Sequence, residues 1–363
     1  MLIDDITIEV RNRQLERTHM VMPDYWTDVK VLPKLRRKGT WSLSLPAELD
    51  ACAALRQRGA GIIITGPAGV LTSGPVETSN HQQTTADPVG MITFTGVDDN
   101  CLLGDYTGYP DPANPADSQT AAYDSRSGPA ESVIRGYVND NLGPGALAAR
   151  REDLFAEFLQ LQTDGARGAT VYGNARFDQL GPFLDKLGKL GGIAYRIVQV
   201  DDHLELEFWE PADKTKLIRL DIANDGLTAT NYTLGAPSIT RGIVLGQGEG
   251  ADRQVIEGTS VDAAAAEAAW GRRIEGVKDQ RNTNVTGELE QAVAEMLLDG
   301  GRTHLVTKVT PSDNTNQRYQ VDWKMGDLVT TVIGPDEVPE IVTAVGLGIS
   351  KEGVVIGAIV GEQ

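Results

Sequence analysis

Cysteine is nearly absent: Cys52 and Cys101 are the only two in 363 residues. They show no close metal-type spacing, and read as small buried apolar residues of a protein assembled in a reducing compartment. Histidine is almost as rare. His19, His81, His203 and His304 include no pair at helical spacing and no H-E-x-x-H, so the common zinc-hydrolase motif is excluded. Aromatics make up 6% of the chain. Trp26, Trp41, Trp209, Trp270 and Trp323 are scattered, mostly at positions suited to packing, which argues against the stacked platforms of a carbohydrate-binding module. No uninterrupted apolar run approaches the roughly 20 residues of a membrane-spanning helix. The N-terminal "MLIDDITIEVRNR" alternates apolar and charged residues, as a strand does and a signal peptide does not. Positive charge is also short: 33 Lys and Arg face 51 Asp and Glu, a net charge of −18. The densest basic run, "KLRRKG" at Lys34 to Gly39, is brief and falls in an expected turn. Binding that depends on neutralising phosphates therefore has no footprint here, and sequence-specific nucleic-acid recognition is not expected. A wall past which nucleic acid slides without sticking is compatible with this charge.

What is present is mostly β. Up to about Tyr106, short β-branched runs such as "ITIEV", "WSLSLP", "GIIITG" and "GMITFTGV" alternate with turn residues. "GIIITGPAGVLTSG" predicts a hairpin, and one helix is expected over Pro46 to Gln57. The four prolines from Pro110 to Pro129 mark a long loop and a boundary. An α+β section follows. A helix is expected after a Ser127 cap with Pro129 in its first turn, and its apolar face is Val133, Ile134, Tyr137 and Val138. A second runs from about Phe177 to Leu190, kinked at Pro182 or beginning near Gly181. The strands "IAYRIVQV" and "HLELEFWE" meet at Asp201-Asp202. From about Lys216 the pattern returns to β, interrupted by helices at Thr259 to Trp270 and Glu288 to Leu298. The expected divisions are 1–106, 107–215 and 216–363.

Motifs that could carry chemistry fail on spacing. In "GIVLGQGEGADR", Gly242 to Arg253, a strand is followed by Gly246, Gly248 and Gly250. A dinucleotide loop needs G-x-G-x-x-G opening a helix, and a Walker loop needs a lysine; this stretch has G-x-G-x-G, no lysine and then more strand. "TGPAGVLTS" has Val70 where that lysine belongs. His203, Glu205 and Glu207 share one strand face and could hold a metal, but Leu204, Leu206 and Phe208 opposite them describe an ordinary half-buried strand. Asp98-Asp99 and Asp201-Asp202 sit at strand ends and should point apart, and no serine lies in G-x-S-x-G. "SDNTNQ", Ser312 to Gln317, lacks the glycine and distal glutamate of an EF-hand. No catalytic, cofactor-binding or metal residue is expected, and no cofactor.

Eight stretches in order nonetheless carry a resemblance. "TWSLSLP", "SGPV", "GVDD", "AYDSRSGPAESVIRGYV", "ARFDQL…GGIAYRIVQ", "GQGEGADR", "AAWGRRIEGVKDQRNT" and "MGDLVT" resemble the minor tail proteins of siphophages infecting actinobacteria, which look like the hub of the tail tip. The likeness extends from about Ile6 to Val345. It implies a mainly β, α+β fold: two β-barrel-like domains, 1–106 and 216–363, around an α/β domain, as in baseplate hubs. It further implies a structural virion protein at the distal end of the tail. That protein would be a homotrimer that caps the tube, contacts the distal tail ring, tape measure and fibre or receptor-binding proteins, and lets DNA pass. A net charge of −18 per chain adds the expectation that the acidic excess faces that channel. The competing reading is a hub carrying cell-wall-degrading chemistry. It needs a separate catalytic domain, for which the C-terminal "GVVIGAIVGEQ" leaves no expected room.

Overall fold

Alternation builds the first strand, Thr7–Arg11, with Ile8 and Val10 buried and Glu9 on the opposite side, where it meets Arg17 of the neighbouring strand Arg17–Val21. In this computed structural model, which describes residues 3–223, 227–311, 317–333, 336–350 and 353–361, the expected hairpin forms from Gly61–Gly66 and Gly69–Gln82. Two long strands change neighbours part-way. Gly69–Gln82 pairs first with Gly61–Gly66 and then, past an irregularity at Val76/Thr78, with Met91–Val97. Asp336–Ser350 pairs first with Leu328–Ile333 and then, past Val342/Ala344, with Gly353–Val360 and Asp28–Lys34. A bulge bends a strand and increases its twist, which is how one strand can serve two sheets.

The result is a 13-stranded sheet in which the two β-rich regions are joined where Asp28–Lys34 meets Asp336–Ser350. Its path runs from Leu227–Gly235 at one end to Arg17–Val21 at the other. The mainly β class with an α/β part is what the sequence implies, but among the described residues the pairing closes into no barrel. One core serves both regions: Trp26, Trp41 and Phe94 from the first pack in the same cluster as Trp323, Val345 and Leu347 from the last. Large aromatics of this kind each remove about 150–250 Å² from water.

A second core belongs to the α/β part. Helix Ala130–Asn141 buries Ala130, Val133, Ile134, Tyr137 and Val138, the i, i+3, i+4 stripe read from the sequence. Pro129 stands at its N-cap, and Ser127 is not the cap: it lies in the strand Asp124–Pro129, opposite Tyr172. Backbone pairing engages that stretch before the helix starts. Helix Leu180–Gly191 begins beyond Phe177, which is exposed with φ 59°. Pro182 thus falls in the first turn, where its missing N–H has no helical partner to lose. Gly192, at φ 66°, ends the helix. Strands Ala194–Val200 and His203–Trp209 form the expected hairpin through Asp201-Asp202.

A third, smaller core is inserted between Leu227–Gly235 and His304–Pro311, which pair with each other. Here Arg241–Leu245 lies between Val255–Gly258 and Glu275–Asp279. Val244 packs with Leu289, Val293 and Leu297 of helix Thr286–Gly300, and with Ala263 of helix Val261–Trp270. Ser260 caps the latter, its Oγ accepting from Ala263 N at 3.1 Å, so the helix starts two residues after the expected Thr259. Helices Asp50–Leu55 and Thr286–Gly300 differ from the expected Pro46 to Gln57 and Glu288 to Leu298 only in their ends.

Candidate functional site

The strongest concentration of buried polar chemistry lies where the first sheet meets the α/β part. Arg11 is fully buried at the end of its strand, and its two terminal nitrogens donate to Asp99 at 2.5 and 2.9 Å. Nη1 also donates to Gln199 Oε1 at 3.0 Å. Ser73 Oγ donates to Asp99 at 2.5 Å and accepts from Gln199 N at 2.8 Å. Gln199 Nε2 completes the set by donating to the carbonyls of Leu15 and Asp201. A buried charge pair is best held when its remaining lone pairs and protons are engaged, and this network engages both terminal nitrogens of Arg11 while leaving its Nε without a partner among the described residues.

Residues Asp98 to Asn100 divide the work. Asn100 Oδ1 accepts from Ile197 N at 2.7 Å, and its amide donates to Arg37 O at 3.2 Å. Asp98 Oδ2 accepts from Gly39 N at 2.8 Å; a Cβ on Gly39 would stand 2.5 Å from that oxygen, so the residue must be glycine. The other Asp98 oxygen has no hydrogen-bond partner among the described residues. Burial, with the Asp99 charge adding to it, pushes Asp98 up to about 7 against the bond from Gly39. A carboxyl poised near neutrality is one mark of an active site. The cavity it borders holds only about 20 Å³, close to the space of one water molecule, so no substrate reaches it.

The basic turn contributes a second junction. Arg36, at φ 59°, is buried and donates to Asp185 Oδ1 at 3.0 Å and to Ile193 O at 3.0 Å. Arg37 donates to the other Asp185 oxygen at 2.8 Å. Beside this turn a cleft of about 550 Å³ separates it from helices Leu180–Gly191 and Thr286–Gly300. Lys186 in the cleft and Lys278 from outside it both reach Glu295; burial alone would raise that carboxyl, and the two ammonium groups hold it below the usual range. Lys34 and Lys38 also line the cleft. The lining includes no His, Cys, Ser, Thr or Tyr, and its lysines and arginines suit it to hold acidic groups. A third pair fixes the loop over helix Ala130–Asn141: Glu131 is buried, accepts from Arg167 through both oxygens, and is lowered to about 2, chiefly by that pairing.

The glycine loop has a structural occupation. Gly246 N donates to Gln254 O, closing a hairpin between Arg241–Leu245 and Val255–Gly258. The carbonyls of Leu245 and Gly246 turn toward the guanidinium of Arg253, which also meets Asp279. A phosphate cradle turns amides inward; this loop turns carbonyls inward onto a cation. Gly248 has φ 114°, and Gly250 begins a short 3₁₀ turn.

The remaining sequence candidates separate. Glu205 accepts from Gln162, Glu207 pairs with Arg196, and His203 lies 3.4 Å from Asp202 and 3.8 Å from Glu205. No group of three His, Cys, Asp or Glu among the described residues could hold a metal ion. Cys52 and Cys101 are free and buried, and burial pushes both thiols up. Trp26, Trp41 and Trp323 are buried, whereas Trp270 is exposed and donates to Thr303. Ser312 to Asn316 lie outside the described residues. Among the described residues no helix is long and apolar enough to cross a membrane.

A family model described as Siphovirus ReqiPepy6 Gp37-like protein matches residues 7–362. The chain belongs to that family. Solved structures share its fold over nearly the full length. The 43 kDa tail protein of prophage MuSo2 from Shewanella oneidensis matches with a TM-score of 0.60 at 11% identity, over 98% of this chain and 97% of that one. The tail protein from Neisseria meningitidis MC58 gives 0.57 at 11%, over 99% and 97%. Prophage tail protein gp18 from Listeria monocytogenes EGD-e gives 0.60 at 11%, over 98% and 94%. No curated protein matches the sequence. This siphovirus chain therefore carries a phage-tail-protein fold from end to end. Sequence reasoning found the family but not the Arg11, Ser73, Asp99 and Gln199 network, whose only local sign is an acidic pair at a strand end.

Proposed function

We propose that the chain is a structural hub of the tail tip in a long-tailed phage of actinobacteria, without enzymatic activity. In this role it sits at the distal end of the virion tail as a homotrimer and caps the tube. It joins the tube to the distal ring, tape measure and fibre or receptor-binding proteins, and lets DNA pass an acidic lumen. The stretches 1–106, 107–215 and 216–363 then serve as the first β-rich part, the α/β part and the second β-rich part, with the outer two sharing one sheet. One observation carries the reading: a siphovirus family match and a tail-protein fold each extend over almost the whole chain. The chemistry supports it. The deepest polar groups fix elements to one another, and the cleft beside them is lined largely by cations.

Electron microscopy of virions labelled by an antibody against this chain tests the location. Label at the distal tail end is expected, and label on the head or along the tube overturns the hub. Incubation with purified host cell wall tests the enzymatic alternative, and release of sugars or peptides would replace the structural reading.

A further inference from the structure

Apart from a branch that ends in the two-residue strand Arg219–Leu220, the main path of the sheet ends in two edges, and they are not alike. Leu227–Gly235 is the last strand at one end and pairs only with His304–Pro311 among the described residues. Its nine residues, LTATNYTLG, include no charge and no proline. Eight of the nine are at least partly exposed, with Tyr232 47% and Leu234 60% exposed on one face. Proteins that keep an edge strand in water guard it with charge, proline or a bulge, because its free N–H and C=O groups are a template for another strand. This edge has a single irregularity, at Leu227/Ala229, and none of the other guards along the rest of its length.

At the opposite end Arg17–Val21 pairs only with Thr7–Arg11, and its first four residues are exposed. Its one formal charge at neutral pH, Arg17, is paired with Glu9 of its own neighbour. Met20 is 59% exposed, and Met22 and Tyr25 beyond the strand are exposed too.

We propose that the Leu227–Gly235 edge of one copy pairs, strand to strand, with the Arg17–Val21 edge of a second copy of this chain. Charge directs the choice. Copies of net charge −18 repel wherever acidic surfaces meet, whereas a backbone ladder between an uncharged strand and an internally neutralised one brings no carboxylates together. Economy of edges directs it further. A two-fold contact of Leu227–Gly235 with itself would leave Arg17–Val21 open in every copy, while one head-to-tail contact covers both. Such heterologous contacts close into rings or grow as filaments. The inference rests on the reading of the chain as a self-assembling hub, and it names the surface used.

The test is sedimentation velocity of the full chain with two variants, Tyr232→Lys with Leu234→Lys, and His19→Lys with Met20→Lys. All four side chains are exposed, and circular dichroism should report native folding. The unsubstituted chain should form a closed oligomer and each variant alone a monomer. An equimolar mixture should stop at a dimer, because one compatible pair of edges remains. Hydrogen exchange of the unsubstituted chain supplies the same answer without mutation: amides of both edges should slow as concentration rises. An oligomer that survives either variant, a mixture without dimers, or loss of assembly from the first variant alone overturns the head-to-tail contact and leaves the hub standing. A chain that stays monomeric at all concentrations, with edge exchange unchanged, overturns both.

Discussion

Arg11 and Asp99 form a two-toothed ion pair from which water is wholly excluded, with both side chains at 0% exposure. Removing one partner leaves the other charged in an apolar setting, which typically costs about 3–5 kcal/mol. Arg11→Met should therefore lower the unfolding free energy measured in urea by that amount or prevent soluble expression. Arg11→Met combined with Asp99→Leu should recover part of the loss, because no charge is then stranded. A single variant as stable as the parent chain would show that the pair contributes nothing.

Asp98 gives the opposite sign. Its folded-state pKa is raised to about 7 from an ordinary 3.8 by burial. Between pH 4 and 7 the unfolded chain ionises this carboxyl while the folded chain keeps it protonated, so stability falls progressively as pH rises through that window and the loss stays constant above it. Each pKa unit is worth about 1.4 kcal/mol. Asp98→Asn should remove this contribution: the variant should gain stability over the parent at pH 8 and little at pH 4. Thermal unfolding at both values measures the difference, and an equal effect at both would show that Asp98 does not titrate in this window.

Glu131 fails at the other extreme. The Arg167 pairing lowers its carboxyl to about 2 from 4.5, so the stabilisation is complete above pH 4.5 and is lost as pH falls toward 2. Glu131→Gln should destabilise the chain at neutral pH by about 3 kcal/mol and much less at pH 2.5. Denaturant midpoints of parent and variant should converge in acid.

Gly248→Val should destabilise the inserted hairpin. At φ 114° a side chain is strained, and its Cβ would stand 2.8 Å from Arg253 Cα and from Asp252 O. The loss should appear as early protease cleavage between 245 and 255, and ATP or NAD should leave the melting temperature of the parent chain unchanged. A nucleotide-dependent rise in that temperature would restore the phosphate-loop reading.

Local elements were legible because their causes are local. The Pro-Ala-Gly turn, the Asp201-Asp202 turn and the apolar stripe of Ala130–Asn141 each declare themselves within a dozen residues. The partnership of Asp28–Lys34 with Asp336–Ser350 leaves no such mark, since either strand could pair with any neighbour of suitable pattern. Arg11 was hidden for a sharper reason. Strict alternation after Ile8 and Val10 would send it outward, but the ladder slips at Val10/Arg11 and the side chain is buried. The exposed Phe177 misleads in the other direction. It continues the apolar spacing of its helix but lies before the helix begins.

The seam between Asp28–Lys34 and Asp336–Ser350 also sets an order of events during synthesis. The first strand leaves the ribosome early and finds Arg37–Pro46 at once, but its other side waits for residues near the end of the chain. At about 5–20 residues per second that wait lasts on the order of tens of seconds. Throughout it the newborn chain carries an open ladder beside the aromatic cluster of Trp26 and Trp41. Crowding nascent copies on one message would favour capture of that ladder by the wrong strand, so the yield of folded protein should depend on how quickly the last stretch is translated.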